Sequence, residues 1–378
     1  MMDYETLRII WWVLMGVLLI GFALTDGFDL GVGALLRIIG RTDNERRVMI
    51  NTIGPHWDGN QVWFITAGGA LFAAYPLIYA ASFSGFYFAL LITLGALWMR
   101  PVGFDYRSKL ENPTWRNSWD WALFVSGIVP SLIFGVAFGN LFLGVPLSYD
   151  VMLRPSYGGG LFGLLRPFAL LAGLISVSML LLHGATWLQL KTDGFIRERA
   201  LRVGVILGIA TAVLFGLAGI WVGALDGYQI TSTINTNGPS NPLNKSVTLV
   251  AGGWLKNYTL YPLMMIAPAL GILGALACAF FSAKRKSALA FASSSTAITG
   301  IILTAGFSLF PFLMPSNTQL NASLTLWDAT SSQTTLFIMF GVACVFVPII
   351  LIYTIWGYWV MRGRVTEKAV LADSHQLY

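Results

Sequence analysis

The chain has 378 residues, of which 56% are hydrophobic and only 11% charged, with 14 Trp, 25 Phe and 13 Tyr. A soluble domain carries roughly 25% charged residues, so a globule could not solvate this much apolar surface; the mean hydropathy of +0.71 places the chain among polytopic membrane proteins. Disorder, a disulfide-stapled secreted scaffold and a collagen-like fibre are excluded on the same grounds. The net charge of +6 resides in short loops between apolar runs, which speaks for cytoplasmic loops and against a nucleic-acid partner.

The first residues, Met-Met-Asp-Tyr-Glu, lack the basic start of a signal peptide, so the first apolar run is expected to be a retained membrane helix. Runs long enough to span lie near 9–35, 79–99, 121–143, 160–190, 203–225, 259–283, 288–312 and 335–360. Arg37, Arg41, Arg46 and Arg47 follow the first; Arg100, Arg107, Lys109 and Arg116 follow the second. Both clusters read as cytoplasmic, so an even number of crossings must separate them. A further helix is therefore required between 48 and 78. Its candidate is Val62–Tyr75, extended back through Pro55–Gln61, where a polar start hides it from hydropathy. The expected fold is all-α and polytopic, with nine transmembrane helices in one membrane-integral domain over 1–378. The N-terminus is periplasmic, the C-terminus cytoplasmic, and eighteen of the 23 Lys and Arg residues lie inside. Long outer loops fall near 226–258 and 313–334. A short echo between 66–72 and 304–310 is too brief to establish a repeat.

Acids at membrane depth are costly, about 2.5–3.5 kcal/mol at a helix centre, and persist where they face a partner or a water-filled path. Asp26 and Asp29, three residues apart, share a helical face with Arg37 two turns further on. They read either as a protonatable site in a hydrated channel or as interfacial acids satisfied by loop arginines. His56, Asp58, Asn60 and Gln61 crowd the start of an apolar span; Asp58 and His56 suit proton relay, or the segment is a cap. Arg100, Asp105 and Lys109 mark a cytoplasmic mouth that could gather protons or be an ordinary loop. His183 reads as a hydrogen-bonded core histidine, and Cys278 and Cys344 as small buried core residues. Asp226 and the Trp327–Gln333 segment read as outer-loop anchors and partner contacts. Three histidines cannot ligate several haems in pairs. With no Walker A, GxGxxG or CxxC pattern, no metal or catalytic site is expected in this chain.

The motifs Thr25-Asp26-Gly27-Phe28-Asp29-Leu30-Gly31, Pro55-His56-Trp57-Asp58-Gly59-Asn60-Gln61-Val62-Trp63, Arg100-Pro101 with Phe104-Asp105-Tyr106-Arg107-Ser108-Lys109, Ser240-Asn241-Pro242-Leu243-Asn244-Lys245 and Trp327-Asp328-Ala329-Thr330-Ser331-Ser332-Gln333, with the terminal Leu377-Tyr378, run the length of the chain. Together they resemble subunit II of the cytochrome bd-type quinol oxidases. The resemblance implies a multi-pass protein of the bacterial inner membrane, built as two four-helix bundles plus one peripheral helix. It further implies a heterodimer with a subunit I that holds two haems b and one haem d, oxidises quinol and reduces dioxygen to water electrogenically. Small single-helix accessory subunits and a structural quinone are further expectations. Subunit II would hold no haem, support its partner and carry a proton path through Lys109, Asp105 and Tyr378 to Asp58, with Asp26, Asp29, His56 and Arg100 as neighbours or alternates. Trp63 would flank the dioxygen route from the bilayer. His183 stays outside the relay. The competing reading is a proton-coupled secondary transporter, which would need a helix broken near the midplane.

Overall fold

The computed structural model describes residues 2–372; Tyr378 of the expected proton path, and His375, lie outside the described residues. The helices are α1 (Tyr4–Ile39), α2 (Asp43–Ile53), α3 (Trp57–Ala74), α4 (Pro76–Gly85), α5 (Tyr87–Tyr106), α6 (Pro113–Leu143), α7 (Pro167–Lys191), α8 (Gly194–Ala224), α9 (Lys256–Leu260), α10 (Ile266–Ala283), α11 (Ser287–Leu309), α12 (Gln333–Val360) and α13 (Glu367–Ala372). Three antiparallel ribbons decorate the connections: β1 (Leu147–Tyr149) with β2 (Pro155–Tyr157), β3 (Asp226–Ile230) with β4 (Val247–Ala251), and β5 (Phe312–Met314) with β6 (Leu324–Thr325).

Among the described residues eight helices are long and apolar enough to cross a membrane: α1, α5, α6, α7, α8, α10, α11 and α12. Between 48 and 78, where the charge pattern demands another helix, the chain forms α3, whose polar first turn lowers its mean hydropathy. The run at 79–99 differs from expectation. It breaks between α4 and α5, where the Tyr157 ring crowds Gly85 so closely that a Cβ there would lie 2.5 Å from it. Beyond the break, α5 runs on through Arg100 and Pro101 to Tyr106, so Arg100 sits inside a helix and not at a loop mouth.

Side chains fix several helix starts. Asp3 accepts from the Thr6 amide at the head of α1, Asn112 from Thr114 and Trp115 at α6, and Ser332 from Thr335 at α12. Thr42 and Glu45 form a reciprocal capping box on α2. α7, α8, α10 and α11 pack in a ring, each against the next, while α1 packs on α3, α6 and α7, and α5 on α6. Small residues permit the close crossings. A Cβ at Gly31 would lie 2.1 Å from the Leu180 carbonyl oxygen of α7, and one at Gly127 of α6 would lie 2.3 Å from the Leu30 carbonyl oxygen of α1.

The two ends of the molecule differ in chemistry. At one end lie the ribbons and the start of α1. There the buried Arg8 donates to Thr330 Oγ1 at 2.9 Å and to the Gly238 carbonyl at 3.1 Å, and Lys245 pairs with Asp328 at 2.7 Å. Asp328 is thus the loop anchor its sequence suggested. At the opposite end arginines and acids interlock. Arg107 reaches Asp120 at 2.6 Å and Asp43 at 2.7 Å, Arg46 reaches Asp120 at 2.7 Å, and Arg116 reaches Asp43 at 2.6 Å. Arg199 of α8 holds Glu45 of α2 at 2.8 Å.

Candidate functional site

α1, α3, α5 and α12 converge on a buried polar cluster toward the arginine-rich end. Asp26 and Asp29 are both fully buried, three residues apart on one face of α1. Arg100 of α5, also buried, brings Nη1 to 2.7 Å from Asp26 Oδ1, donates from Nη2 to Gln61 Oε1 at 3.1 Å, and lies 5.6 Å over the Trp57 ring. Asn60 of α3 donates from Nδ2 to Asp29 Oδ2 at 2.8 Å. The Tyr358 hydroxyl of α12 donates to Asn60 Oδ1, and its ring stacks on His56 with centroids 4.6 Å apart. Phe28 stacks on Trp187 of α7 at 4.0 Å, and Trp187 donates to the Thr52 carbonyl at 3.1 Å, which closes the cluster against α2. Such an arrangement can hold and position a proton in apolar surroundings.

Asp26 is therefore paired with an arginine, but with Arg100 from within a neighbouring helix, while Asp29 meets Asn60; Arg37 turns instead to Asn117 and the Trp121 ring. Asp26, Asp29, Arg100 and His56 come together as one unit. Asp58 does not join them. It is exposed in the first turn of α3, on the same helical face as Val62, Ile65 and Phe72, which are 51%, 62% and 62% exposed. Asp105 and Lys109 are also exposed, at the end of α5 and in the turn after it, and among the described residues no hydrogen bond or ion pair joins them to the cluster. Trp63 is half-buried and lies flat on α1, where a Cβ at Gly21 would be 2.5 Å from its ring.

Sequence reasoning passed over Tyr358, Asp120 and Asp43. Tyr358 sits among aromatic residues at the end of an apolar run, where a tyrosine reads as an interface anchor, so nothing local marked it. Asp120, between Trp119 and Trp121, did carry a signal, since an acid opening an apolar span needs a partner. His183 is a packed core residue: Nδ1 meets Ser294 Oγ at 2.8 Å and Nε2 the Leu24 carbonyl at 3.0 Å. Cys278 is buried as expected, but Cys344 is exposed, because α12 packs against little of this chain. Among the described residues no three His, Cys, Asp or Glu side chains cluster as metal ligands.

A second feature is an apolar pocket of about 380 Å³ lined mainly by α1, α6, α7, α8, α10 and α11. Phe22, Phe134, Phe142, Phe168 and Phe215 line it, together with Tyr258 and Ser308. Its size and lining suit an apolar ligand.

The sequence model of the cytochrome bd terminal oxidase subunit II family matches residues 7–361. The chain is 55% identical over 379 residues to cytochrome bd-I ubiquinol oxidase subunit 2 of Escherichia coli, covering the whole of both chains. It is 54% identical over 378 residues, again covering both in full, to a probable cytochrome oxidase subunit 2 of Haemophilus influenzae. Identity to cytochrome bd ubiquinol oxidase subunit 2 of Bacillus subtilis is 32% over 367 residues, covering 96% of this chain and 98% of that one. Its fold is similar to a chain in the solved bd oxidase of Geobacillus thermodenitrificans, with a TM-score of 0.69 at 16% identity, over 94% of this chain and 98% of the other.

Proposed function

Because the chain belongs to the cytochrome bd terminal oxidase subunit II family, we propose that it is the haem-free subunit of a quinol oxidase in the bacterial inner membrane. Its partner, subunit I, would hold two haems b and one haem d, which would supply the electron transfer by which quinol is oxidised and dioxygen reduced to water. This chain supports that partner and brings protons from the cytoplasm.

The arrangement in the membrane follows from the charges. α3 joins the eight apolar helices to give nine crossings, with the arginine-rich end in the cytoplasm and the ribbon end, with the N-terminus, outside. α1, α3, α5 and α6 make one four-helix bundle, α7, α8, α10 and α11 the other, and α12 is peripheral. The breaks flanking α4 lie at the ribbon end, beside Tyr157. A transporter needs its broken helix at the midplane, and this disfavours that reading. His183 has both ring nitrogens engaged within the bundle, which supports placing the haem ligands in the partner.

One observation carries the proton-path assignment: Asp58 is a carboxylate on an otherwise bare apolar face. Soluble-type solvation cannot explain Val62, Ile65 and Phe72 beside it, whereas a docked partner would cover the face and enclose the acid. Protons collected by Lys109, Asp105 and Tyr378 at the cytoplasmic mouth would pass to Asp58 and on to the partner, with the Asp26, Asp29, His56 and Arg100 cluster alongside. Trp63, one turn beyond, would flank the dioxygen route. The apolar cavity offers room for the isoprenoid tail of a structural quinone, and bare helix faces leave space for lipid and small single-helix accessory subunits.

Asp58→Asn in the two-subunit complex tests the assignment. In vesicles, oxygen consumption and membrane potential are both expected to fall at least tenfold with haem content intact. Unchanged rates would remove Asp58 from the path.

A further inference from the structure

Two acids, Asp26 and Asp29, and one guanidinium, Arg100, are shut into the same buried spot. Charges in such surroundings persist only when compensated, and one arginine compensates one carboxylate. Lys191, the next cation on that side, lies over the far side of the Trp187 ring and donates to the Met361 and Gly363 carbonyls. Arg37 is turned to Asn117. α3 presents the amides of Asn60 and Gln61, α12 presents the Tyr358 hydroxyl with His56 stacked behind it, and α7 presents Leu180 against Gly27.

The hydrogen-bond directions locate the missing positive charge. An amide nitrogen only donates, so Asp29 Oδ2 is an acceptor toward Asn60. Asp29 Oδ1 and both Asp26 oxygens are fully enclosed and receive no well-aligned hydrogen bond from a described donor, although Arg100 stands close to Asp26. The two enclosed carboxyls lie one turn apart on the same face of α1, within reach of each other. We propose that Asp26 and Asp29 form a dyad holding one shared proton, borne on Asp29 Oδ1 and directed at Asp26, which is the ionised partner of Arg100. Asn60 and Tyr358 are positioning residues. The tyrosine hydroxyl orients the amide, and the amide keeps Asp29 Oδ2 as the accepting end. The inference deepens the proton-path reading, on which it rests for its role: the cluster stores a proton beside the path.

Infrared difference spectra of the purified two-subunit complex, variant minus wild type, test it. A shared proton requires that Asp26→Asn and Asp29→Asn each abolish the same protonated-carboxyl C=O band, since either change leaves one carboxylate for one guanidinium. If either variant keeps that band, the proton belongs to a single residue and the dyad is overturned. Tyr358→Phe retains the ring on His56 and is expected to shift the band; an unmoved band overturns the positioning role. Should the Asn variants fail to assemble, Asp26→Glu and Asp29→Glu replace them, and each must displace the band for the dyad to stand. The readout is independent of conduction. Asp58→Asn can abolish or spare proton uptake without touching this band, so the two proposals fail separately.

Discussion

The Arg100–Asp26 contact shows how a single residue can hold a site together. Its 2.7 Å ion pair is buried on both sides, and the same guanidinium also reaches Gln61. Removing one member of a buried pair leaves the other uncompensated, at about 3–5 kcal/mol. Arg100→Leu is therefore expected to lower the melting temperature of the purified complex sharply. Arg100→Lys should recover only part of the loss, because a point ammonium lacks the fork that serves Asp26 and Gln61 together. A wild-type melting curve for Arg100→Leu would show that the pair contributes nothing to stability. At this scale the sequence was half legible. The spacing of Asp26 and Asp29 announced one face of one helix, but the partner came from α5, some seventy positions away, and no local pattern names a cross-helix partner. Tyr358 was hidden for the same reason.

At the scale of elements, α2 is a latch between α1 and the rest of the arginine-rich end. Its capping box employs Glu45, and the same carboxylate binds Arg199 of α8 at 2.8 Å and the Arg41 amide at 2.7 Å. Partial burial pushes the Glu45 carboxyl upward, but the Arg199 guanidinium and the amides of Arg41 and Thr42 together outweigh it and hold it below the usual glutamate range. A depressed acid stabilises the fold fully above its unfolded value of about 4.3, and that stabilisation is lost as pH falls through the lower folded value. The melting temperature of the wild-type complex should therefore drop more steeply than that of Glu45→Gln between about pH 5 and about pH 3. Parallel curves would show that the latch does not depend on this charge. The helices themselves were legible where hydropathy and charge agreed. α3 was found only by requiring that two basic clusters share one side. The break before α5 was missed because nothing local marks it; the Tyr157 ring that meets Gly85 there arrives from a distant hairpin.

Considered whole, the molecule is well packed internally and thinly covered on one flank. The helical, multi-pass character was readable because a bilayer imposes length rules that a sequence must display. The destinations of Asp58, Asp105 and Lys109 were not, because exposed polar groups of one subunit acquire their meaning from the surface that meets them. α12 is the extreme case. Among its described residues only Leu336 is buried. It is fastened near its start, where Trp11 donates to the Leu336 carbonyl at 3.0 Å, and near its end, where Tyr358 meets Asn60 and Lys191 binds the Met361 carbonyl. Between these anchors it leans on almost nothing of its own chain. A copy synthesised without its companion would thus present quality-control proteases with a strand of helix easily peeled from the bilayer. Pulse-chase labelling should find such orphans short-lived and their lifetime restored by coexpression, which ties the dosage of the two polypeptides to each other.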